Sequence, residues 1–349
     1  MNIVFFTHRF LPDIGGIELS VHHLASALSE LGHDVTIVTE SRDRNGYQGV
    51  SAYRTVRFHV QQRRPLTRFR CWMWMWRHRA EFDNADVLHF HDFTTFINWF
   101  LPLRFVLHKP TYAITYHGFE GWPIRTVHKM LRRITSWLMH VRLGVGDYIS
   151  TYYGHKIDMY YLGAAVHFRT SEQIPVRHRF IYIGRLEQDT EILPFVRCLR
   201  AVADRVEEPL ELRLVGDGNL LTALLALSSE KLEITHIPAT NSVEEELQKA
   251  EFIVCTGFLA LFDAFSFKRP ALIPAFSEIK KQYFTSIPAI ERMAFIGHDE
   301  EEMVQLLNRL LQQNGINCYE SMVDKAEEFV SKLSWKSIAL KHLALYDRA

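Results

Sequence analysis

Cysteine pairs and long apolar runs are both missing from this chain of 349 residues. Its four cysteines are Cys71, Cys198, Cys255 and Cys318. Because none forms a C-x-x-C pair, a structural zinc site and a secreted disulfide framework are both disfavoured, and a reducing cytoplasm is the expected setting. No run reaches the roughly 18 apolar residues of a membrane span. The nearest, residues 96–107, is interrupted by Pro102 and Arg104.

A net charge and the common nucleotide motifs are also lacking. The 40 basic and 40 acidic side chains cancel, so no overall field attracts nucleic acid. Neither a G-x-G-x-x-G string after a strand nor a P-loop occurs, which argues against the most frequent dinucleotide and triphosphate sites. The length exceeds that of a typical single core and is comfortable for two domains.

The first 40 residues form a pattern that predicts a βαβ unit. Residues 3–6 and 35–38 are short apolar runs, typical of parallel strands covered on both faces. Between them one helix face carries Val21, Leu24, Ala25, Leu28 and Leu31, and Gly32 supplies a stop. A right-handed crossover places the loop of Gly15 and Gly16 at the carboxyl edge of the sheet, beside a helix N-terminus. Such a site suits a diphosphate, although the two glycines could equally form only a tight turn.

Further strand-like runs predict two doubly wound α/β domains joined by a linker. They lie at residues 53–60, 87–90, 113–116 and 143–145, and then at 180–183, 212–215, 252–255, 271–273 and 294–296. Between the two series the periodicity lapses in a polar segment that contains Pro175. We therefore predict an N-terminal domain over 1–165, a linker over 166–178 and a C-terminal domain over 179–333. The last segment, 334–349, carries an apolar stripe and is expected to pack back on the first domain.

Several strings together resemble one family over nearly the whole chain. They are Gly15 and Gly16 before the first helix, AITYHGFEG around His117, FIYIGRLEQDTEIL, LRLVGDGN and TGFLALFDAFSFKRPALIP. Each is weak alone, but their combination is similar to the retaining GT-B glycosyltransferases of the glycogen-synthase-like family four, also called group 1. The resemblance implies two Rossmann-like domains facing across a cleft, with C-terminal helices that cross back to the first domain.

The resemblance also implies an activity. Such enzymes transfer a sugar with retention from a nucleoside diphosphate sugar, usually of uridine or guanosine, to an acceptor such as a glycan or lipid-linked molecule. They need no metal and no other cofactor, and the lack of a D-x-D motif agrees with that. One alternative is a degenerate GT-B protein that binds nucleotide or sugar without turnover. Another is a nucleotide-sugar epimerase of the same fold, for which no acid and base carboxylates can be assigned.

Matching motifs imply the site residues. His117 and Arg185 correspond to catalytic positions, His117 near the transferred sugar and Arg185 on the phosphates. The donor-binding set implied by the resemblance is Gly15, Gly16, Gly184, Arg185, Thr190, Gly216, Asp217, Thr256, Gly257, Phe258, Leu259 and Asp263. Taken in isolation, His117 could be a satisfied histidine at a sheet edge and Arg185 a surface partner of Glu187 or Asp189. The glycines of the 216–218 string could serve turn formation alone.

A cluster of His89, His91 and Asp92 resembles a metal site at first sight. Because a third ligand of clear spacing is missing, a polar strand end is the better interpretation and no metal is assigned.

Three positions depart from the family pattern. The lysine that usually stands five residues after the arginine is replaced by Thr190, so one phosphate cation is lost; some branches share this threonine. The usual pair of glutamates corresponds to Cys255 and Asp263, which removes one carboxylate and shortens the other. Losing a charge-assisted contact in a transition state costs about 1.5–3 kcal/mol, or roughly one to two decades of rate. We expect slower rather than absent catalysis.

Residues 63–79 combine cations with indoles. Arg63, Arg64, Arg68, Arg70, Arg77 and Arg79 flank Trp72, Trp74 and Trp76. This composition suits the boundary between lipid headgroups and hydrocarbon, so we predict peripheral association with the inner face of an anionic membrane and a membrane-borne acceptor. The alternative is that Trp72 and Trp76 pack in the core while the arginines cover the surface.

Overall fold

Apolar runs of the sequence become the central strands of two parallel sheets. A computed structural model describes residues 1–40, 52–58, 66–118, 124–154, 156–169, 173–240, 242–312 and 319–349. The chain divides into two units, unit 1 with Met1–Leu162 and Trp335–Ala349, and unit 2 with Gly163–Ser334. Each unit holds one sheet with helices packed beside it.

The sheet of unit 1 has the order β3-β2-β1-β4-β5-β6-β7, with all described strands parallel. Its strands are β1 (Asn2–Thr7), β2 (Asp34–Thr39), β3 (Arg54–Arg57), β4 (Val87–His91), β5 (Thr111–Tyr116), β6 (Val141–Val145) and β7 (Met159–Tyr161). Helices of this part are α1 (Gly16–Glu30), α2 (Thr67–Arg77), α3 (Arg79–Asp83), α4 (Phe93–Thr95), α5 (Thr126–Leu138) and α6 (Tyr148–Tyr153). A π-helical turn, Phe96–Phe100, and a 3-10 turn, Leu101–Phe105, follow α4.

The sheet of unit 2 has the order β10-β9-β8-β11-β12-β13, again with the described strands parallel. Its strands are β8 (Arg179–Ile183), β9 (Leu210–Val215), β10 (Leu232–Ile237), β11 (Phe252–Val254), β12 (Ala271–Pro274) and β13 (Phe295–Gly297). The helices are α7 (Ile192–Ala203), α8 (Leu221–Leu225), α9 (Glu244–Lys249), α10 (Phe258–Ser266), α11 (Glu278–Thr285), α12 (Glu300–Gln312) and α13 (Glu320–Ser331). Short 3-10 turns lie at Gln188–Thr190 and Ile290–Arg292.

The prediction of two doubly wound α/β domains is confirmed. Both sheets place their first strand, β1 or β8, in the interior and reverse strand order beside it, which is the topology that gathers loops at one edge. Two strands escaped prediction, β7 and β10, and both are edge strands. In β10 the exposed Glu233 interrupts the apolar run, because an edge strand is covered less completely than a central one.

The last helix, α14 (Trp335–Tyr346), belongs to unit 1 and packs on α1. The ring of Trp335 stacks on that of His23, with 5.5 Å between centroids. At the other end of α14 the hydroxyl of Tyr346 is 2.6 Å from Nδ1 of His89 on β4, and Nε2 of His89 is 2.8 Å from the hydroxyl of Thr115. Burial lowers the pKa of His89 well below its usual value, so the ring is neutral and carries one donor and one acceptor. Both ring nitrogens therefore have a partner.

This buried hydrogen bond gives a test of how α14 is anchored. Replacing Tyr346 with Phe removes the partner of His89 Nδ1 inside the core, and an unsatisfied buried group costs about 1–3 kcal/mol. We expect the free energy of unfolding, measured with denaturant, to fall by that amount. The matched change Tyr160→Phe, at an exposed position of β7, should have little effect. Equal stability of the two variants would contradict the assignment.

Candidate active site

Two strand ends of unit 2 are joined by backbone hydrogen bonds. The N–H of Gly184, after β8, donates to the carbonyl of Val215 at 3.0 Å, and the N–H of Leu186 donates to Asp217 at 3.0 Å. These bonds lie at the carboxyl edge of the sheet, where ligands of doubly wound folds bind. The structure therefore brings together the predicted Gly184, Arg185, Gly216 and Asp217.

Glycine is required in the second of these loops. A Cβ on Gly216 would lie 2.0 Å from the carbonyl oxygen of Gly184, and one on Gly218 would lie 2.3 Å from that of Leu186. Gly216 also has a φ of +139°, in a region that other residues rarely adopt. Both glycines thus allow two backbones to approach closely, which agrees with a role in the turn itself. Ligand contact by Gly216 stays a prediction.

Arg185 projects from this junction with its side chain 53% exposed. Its guanidinium is 2.6 Å from the carboxylate of Asp189, four residues further on. An exposed pair of this kind is worth about 0–1 kcal/mol, so a diphosphate can displace it at small cost. The surface ion pair and the phosphate role are therefore compatible.

Thr190 and Asp217 make local contacts. Thr190 is buried, and its hydroxyl donates to the carbonyl of Glu187 at 2.6 Å. The exposed carboxylate of Asp217 accepts from the N–H of Ala239 at 3.3 Å. The hydroxyl of Thr190 is thus committed to its own turn and does not replace a phosphate-binding lysine.

Tyr182 links the ends of β8 and β11, a role that the sequence analysis missed. Its hydroxyl donates to the carbonyl of Arg185 at 2.7 Å and is 3.4 Å from the hydroxyl of Thr256. Burial raises the pKa of Tyr182, so the phenol stays protonated and can donate. This contact brings Thr256 to the loops of Gly184 and Gly216.

The N-terminus of α10 follows Thr256 directly. Gly257 is its N-cap residue, and the N–H of Phe258 donates to the hydroxyl of Tyr283 at 2.9 Å. The two rings stack with 3.9 Å between centroids, and Leu259 is half-buried in the same turn. One of the free N–H groups at this helix end is therefore already occupied by a phenol.

Cys255 and Asp263, which stand where the family has glutamates, are both buried. Burial raises the pKa of the Cys255 thiol well above its usual value, and the thiol points at the carbonyls of Ile253 and Ala260. One carboxylate oxygen of Asp263 accepts from the N–H groups of Val166 and His167, at 2.8 and 3.0 Å. Asp263 therefore ties α10 to the beginning of unit 2, and its ribose contact stays a prediction.

Burial also controls the acidity of Asp263. It raises the pKa of this carboxyl to about 6, while His167 beside it acts in the opposite direction. The side chain is thus ionised at neutral pH and gains a proton in mildly acidic solution.

His117 of unit 1 is fixed at ring and backbone. Its Nε2 is 2.9 Å from Nδ1 of His91, its N–H donates to Asp92 at 3.1 Å, and its carbonyl accepts from the hydroxyl of Tyr148 at 3.3 Å. Burial lowers the pKa of His117 to about 3, with Arg132 adding to the effect. The imidazole is therefore neutral at physiological pH and can supply hydrogen bonds but not a readily available proton.

The polar end of β4 holds the three residues considered as metal ligands. Each has a hydrogen-bond partner within unit 1: His89 with Tyr346, His91 with His117, and Asp92 with the backbone of His117. In the described ranges no three His, Cys, Asp or Glu side chains are grouped to hold a metal ion. The arrangement is a hydrogen-bonded row behind His117.

Gly15 and Gly16 lie at the start of α1. Gly15 is the N-cap residue in an extended conformation, and a Cβ there would lie 2.4 Å from a carboxylate oxygen of Glu18. A Cβ on Gly16 would meet nothing within 4 Å. The helix end thus has open space at Gly16 but carries a negative charge nearby, which opposes a second anion.

The 63–79 segment is described from residue 66, so Arg63 and Arg64 lie outside the described residues. Cys71 and Met75 of α2 are buried, Trp72 and Trp74 are partly buried, and Trp76 is 42% exposed. The alternative that packed Trp76 in the core is therefore wrong. The ring of Trp76 lies 5.2 Å from the guanidinium carbon of Arg79. No helix in the described ranges is long and apolar enough to span a bilayer.

Known proteins resemble this chain in sequence within unit 1 and in fold over nearly its whole length. A sequence profile of Glycosyltransferase Family 4 matches residues 14–146, whereas no curated protein sequence matches the chain. A sucrose-phosphate synthase from Thermosynechococcus elongatus superposes with a TM-score of 0.79 at 16% identity, covering 99% of this chain and 98% of that one. The resemblance to glycosyltransferases is confirmed.

Two further solved structures share the fold. HepE of Anabaena, in complex with UDP and glucose, has a TM-score of 0.77 at 11% identity, with complete coverage of both chains. WaaG, a glycosyltransferase of lipopolysaccharide biosynthesis, has a TM-score of 0.70 at 13% identity, covering 97% of this chain and 98% of that one. The two α/β units therefore have the two-domain, Rossmann-like GT-B fold.

The open space at Gly16 allows a test of the first predicted phosphate contact. Gly16→Ala should leave the melting temperature unchanged, because the methyl group meets no neighbour. If the N–H groups here serve the donor, the methyl should block close approach and lower turnover about tenfold, the effect of one lost charge-assisted bond. Glu18→Gln removes the nearby negative charge and should raise turnover. Unaltered turnover in both variants would exclude a phosphate role for this loop.

Proposed function

We propose that this protein is a retaining glycosyltransferase that moves a sugar from a nucleoside diphosphate sugar to an acceptor. The observation that carries the proposal is the junction of Gly184, Arg185 and Gly216 beside the start of α10, with the Arg185 guanidinium exposed above it. The family match and the shared fold agree with this activity.

The nucleoside diphosphate is proposed to bind in unit 2. As the bond to the sugar breaks, negative charge grows on the diphosphate, and a fixed guanidinium at that place lowers the barrier. Arg185 can supply this charge in a planar fork that fits two phosphate oxygens. The proposed reaction is accordingly independent of metal.

Retention is proposed to proceed by attack on the face that the diphosphate leaves. The family's two glutamate positions do not provide a carboxylate nucleophile, since one is the buried Cys255 and the other, Asp263, holds two backbone N–H groups. The departing phosphate would then accept the proton of the acceptor hydroxyl. His117, being neutral, would bind sugar hydroxyls.

Known proteins of this fold support the choice of donor and acceptor. HepE binds UDP and glucose, and WaaG takes part in lipopolysaccharide biosynthesis. We therefore propose a UDP-sugar or GDP-sugar donor and a glycan acceptor carried by a lipid.

An unusual helix in unit 1 favours an acceptor at a membrane. Helix α5 turns Arg132, Thr135 and Ser136 to the interior, whereas the stripe of Val127, Met130, Ile134 and Trp137 is exposed, with Trp137 82% accessible. The stripe follows the three- and four-residue steps of one helix face. Helix α5 therefore buries polar residues and exposes apolar ones, the reverse of the distribution expected for a helix on a water-exposed surface.

The charged residues near this stripe favour contact with an anionic surface. Residues 124–146 contain no Asp or Glu, and Arg125, Lys129 and Arg133 on or beside α5 are exposed. An apolar stripe edged by cations is the pattern of a helix that lies in an anionic bilayer surface. Helix α2 adds a similar stripe of Phe69, Met73 and Trp76 with its own arginines.

The donor site can be tested with two arginines in matched ion pairs. Arg185 and Arg200 each pair with an aspartate four residues later in unit 2, but only Arg185 lies at the strand-end junction. Arg185→Ala should lower kcat about ten- to hundredfold and weaken nucleotide binding less, because the phosphate charge rises in the transition state. Arg200→Ala should change neither kcat nor nucleotide binding.

A companion variant tests the nucleoside contact. Asp263→Asn keeps an oxygen for the N–H groups of Val166 and His167 but loses the charge, and should weaken nucleoside diphosphate binding. Calorimetry with UDP and GDP, together with donor hydrolysis assays, gives both readouts. Nucleotide affinities equal to the wild type in both site variants would refute this binding site, and binding without any turnover would favour the degenerate GT-B alternative.

Liposome co-sedimentation tests the membrane surface. Recovery should require anionic lipid and fall with salt, since each basic residue near such a surface adds about 1 kcal/mol. Replacing Arg68, Arg70, Arg77 and Arg79 with Glu should lower the recovery of the protein with the liposomes. The double variant Met130→Ser/Trp137→Ser should do the same. The exposed Leu340→Ser on α14 serves as control. Equal recovery with neutral and anionic liposomes would count against the proposal.

A further inference from the structure

Lys280 reaches the same strand-end junction from a different part of the chain. It lies in the first turn of α11, which begins after a three-residue loop that follows β12 and is capped by Ser277. Its ammonium donates to the carbonyl of Thr256 at 2.6 Å and lies 5.5 Å from the ring centroid of Tyr283. Because Thr256 precedes α10, this cation is held beside the predicted phosphate site.

The charges around Lys280 are mostly committed to other partners. Glu191 accepts from the N–H groups of Phe276 and Ser277 at 2.7 and 3.1 Å, and Asp189 is paired with Arg185. The ammonium is bonded to a neutral carbonyl, and no carboxylate among the described residues forms an ion pair with it. A cation held in this way lacks a full counter-charge.

We propose that Lys280 is a second phosphate-binding cation of the donor site, taking the part of the lysine that this chain replaces with Thr190. This inference rests on the proposed function. The buried hydroxyl of Thr190 bonds within its own turn, so it leaves the place beside Arg185 without a second cation. Lys280, arriving from α11, restores the pair of positive charges.

The inference predicts a change of protonation when the donor binds. Burial lowers the pKa of Lys280 to about 8; Glu191 and Asp189 oppose this effect and Arg185 adds to it. Among the described residues, the aromatic ring of Tyr283 on the same helix also lies against it. A diphosphate would raise the pKa of the ammonium, so between pH 8 and pH 9 the partly deprotonated lysine should take up a proton on binding.

Calorimetry of UDP and GDP binding at pH 8.5, in two buffers of different ionisation enthalpy, measures this proton uptake. The wild type should take up part of a proton beyond that of the nucleotide itself. Lys280→Met should lose this uptake, and Lys280→Arg should also lose it while keeping the affinity, since an arginine is always charged. Lys281→Met is the matched control, because Lys281 is paired with Glu278 at 2.8 Å and should leave the uptake unchanged.

Kinetics provide a second readout. Lys280→Met should lower kcat/KM about ten- to hundredfold, the effect of one charge-assisted contact, and Lys280→Arg should restore most of it. In the wild type kcat/KM should also fall as the pH rises through 8, whereas Lys280→Arg should remove that fall. Circular dichroism melting curves verify that each variant is folded.

The outcomes distinguish a failure of the Lys280 assignment from a failure of the proposed function. If the wild type binds nucleotide but Lys280→Met matches Lys281→Met in proton uptake and kcat/KM, Lys280 is only a structural tether for Thr256 and the inference is overturned. If the wild type binds neither UDP nor GDP, the proposed function fails, and the inference falls with it. Loss of uptake in Lys280→Met with rescue of kcat/KM by Lys280→Arg supports it.

Discussion

The contact between the backbones of Gly184 and Gly216 is the constraint on which the candidate donor site depends. Parallel strands end at one edge of a sheet, but their loops come close only if side chains are absent where they meet, and a Cβ on Gly216 would lie 2.0 Å from the carbonyl of Gly184. From this junction Arg185 projects outward, while Tyr182 connects it to Thr256. The cationic site is thus a consequence of backbone packing.

Sequence patterns predict the central strands well because their apolar runs report complete burial. The edge strands β7 and β10 escaped because an incompletely covered strand needs fewer apolar residues. Motif spacing likewise predicted that the loops of Gly184, Gly216 and Thr256 lie together at one edge of the sheet. It could not predict that Asp263 binds the N–H groups of Val166 and His167, since a contact across nearly a hundred residues leaves no local signature.

The cation at Lys280 was missed for a related reason. A motif search looks for the second lysine near Arg185, whereas charge acts through space and can come from any element that reaches the same edge. The signal was present as the end of an apolar run, residues 271–276, followed by a helix cap and two lysines. The helix that follows each parallel strand begins at this edge, so any of these helices can bring a cation to it.

Two of the three departures from the family pattern, Thr190 and Cys255, therefore have different physical meanings. Thr190 removes a cation from one position, but the electrostatic requirement concerns the total charge around the diphosphate, and Arg185 with Lys280 can satisfy it. Cys255 is a different case, since its buried thiol faces the carbonyls of Ile253 and Ala260 and does not replace the carboxylate that the family resemblance implies for the sugar contact. A missing cation can be compensated from a distance, whereas a missing directional hydrogen bond cannot. In the proposed donor site, the altered position that bears on the choice of sugar is thus Cys255, and Thr190 bears on phosphate binding.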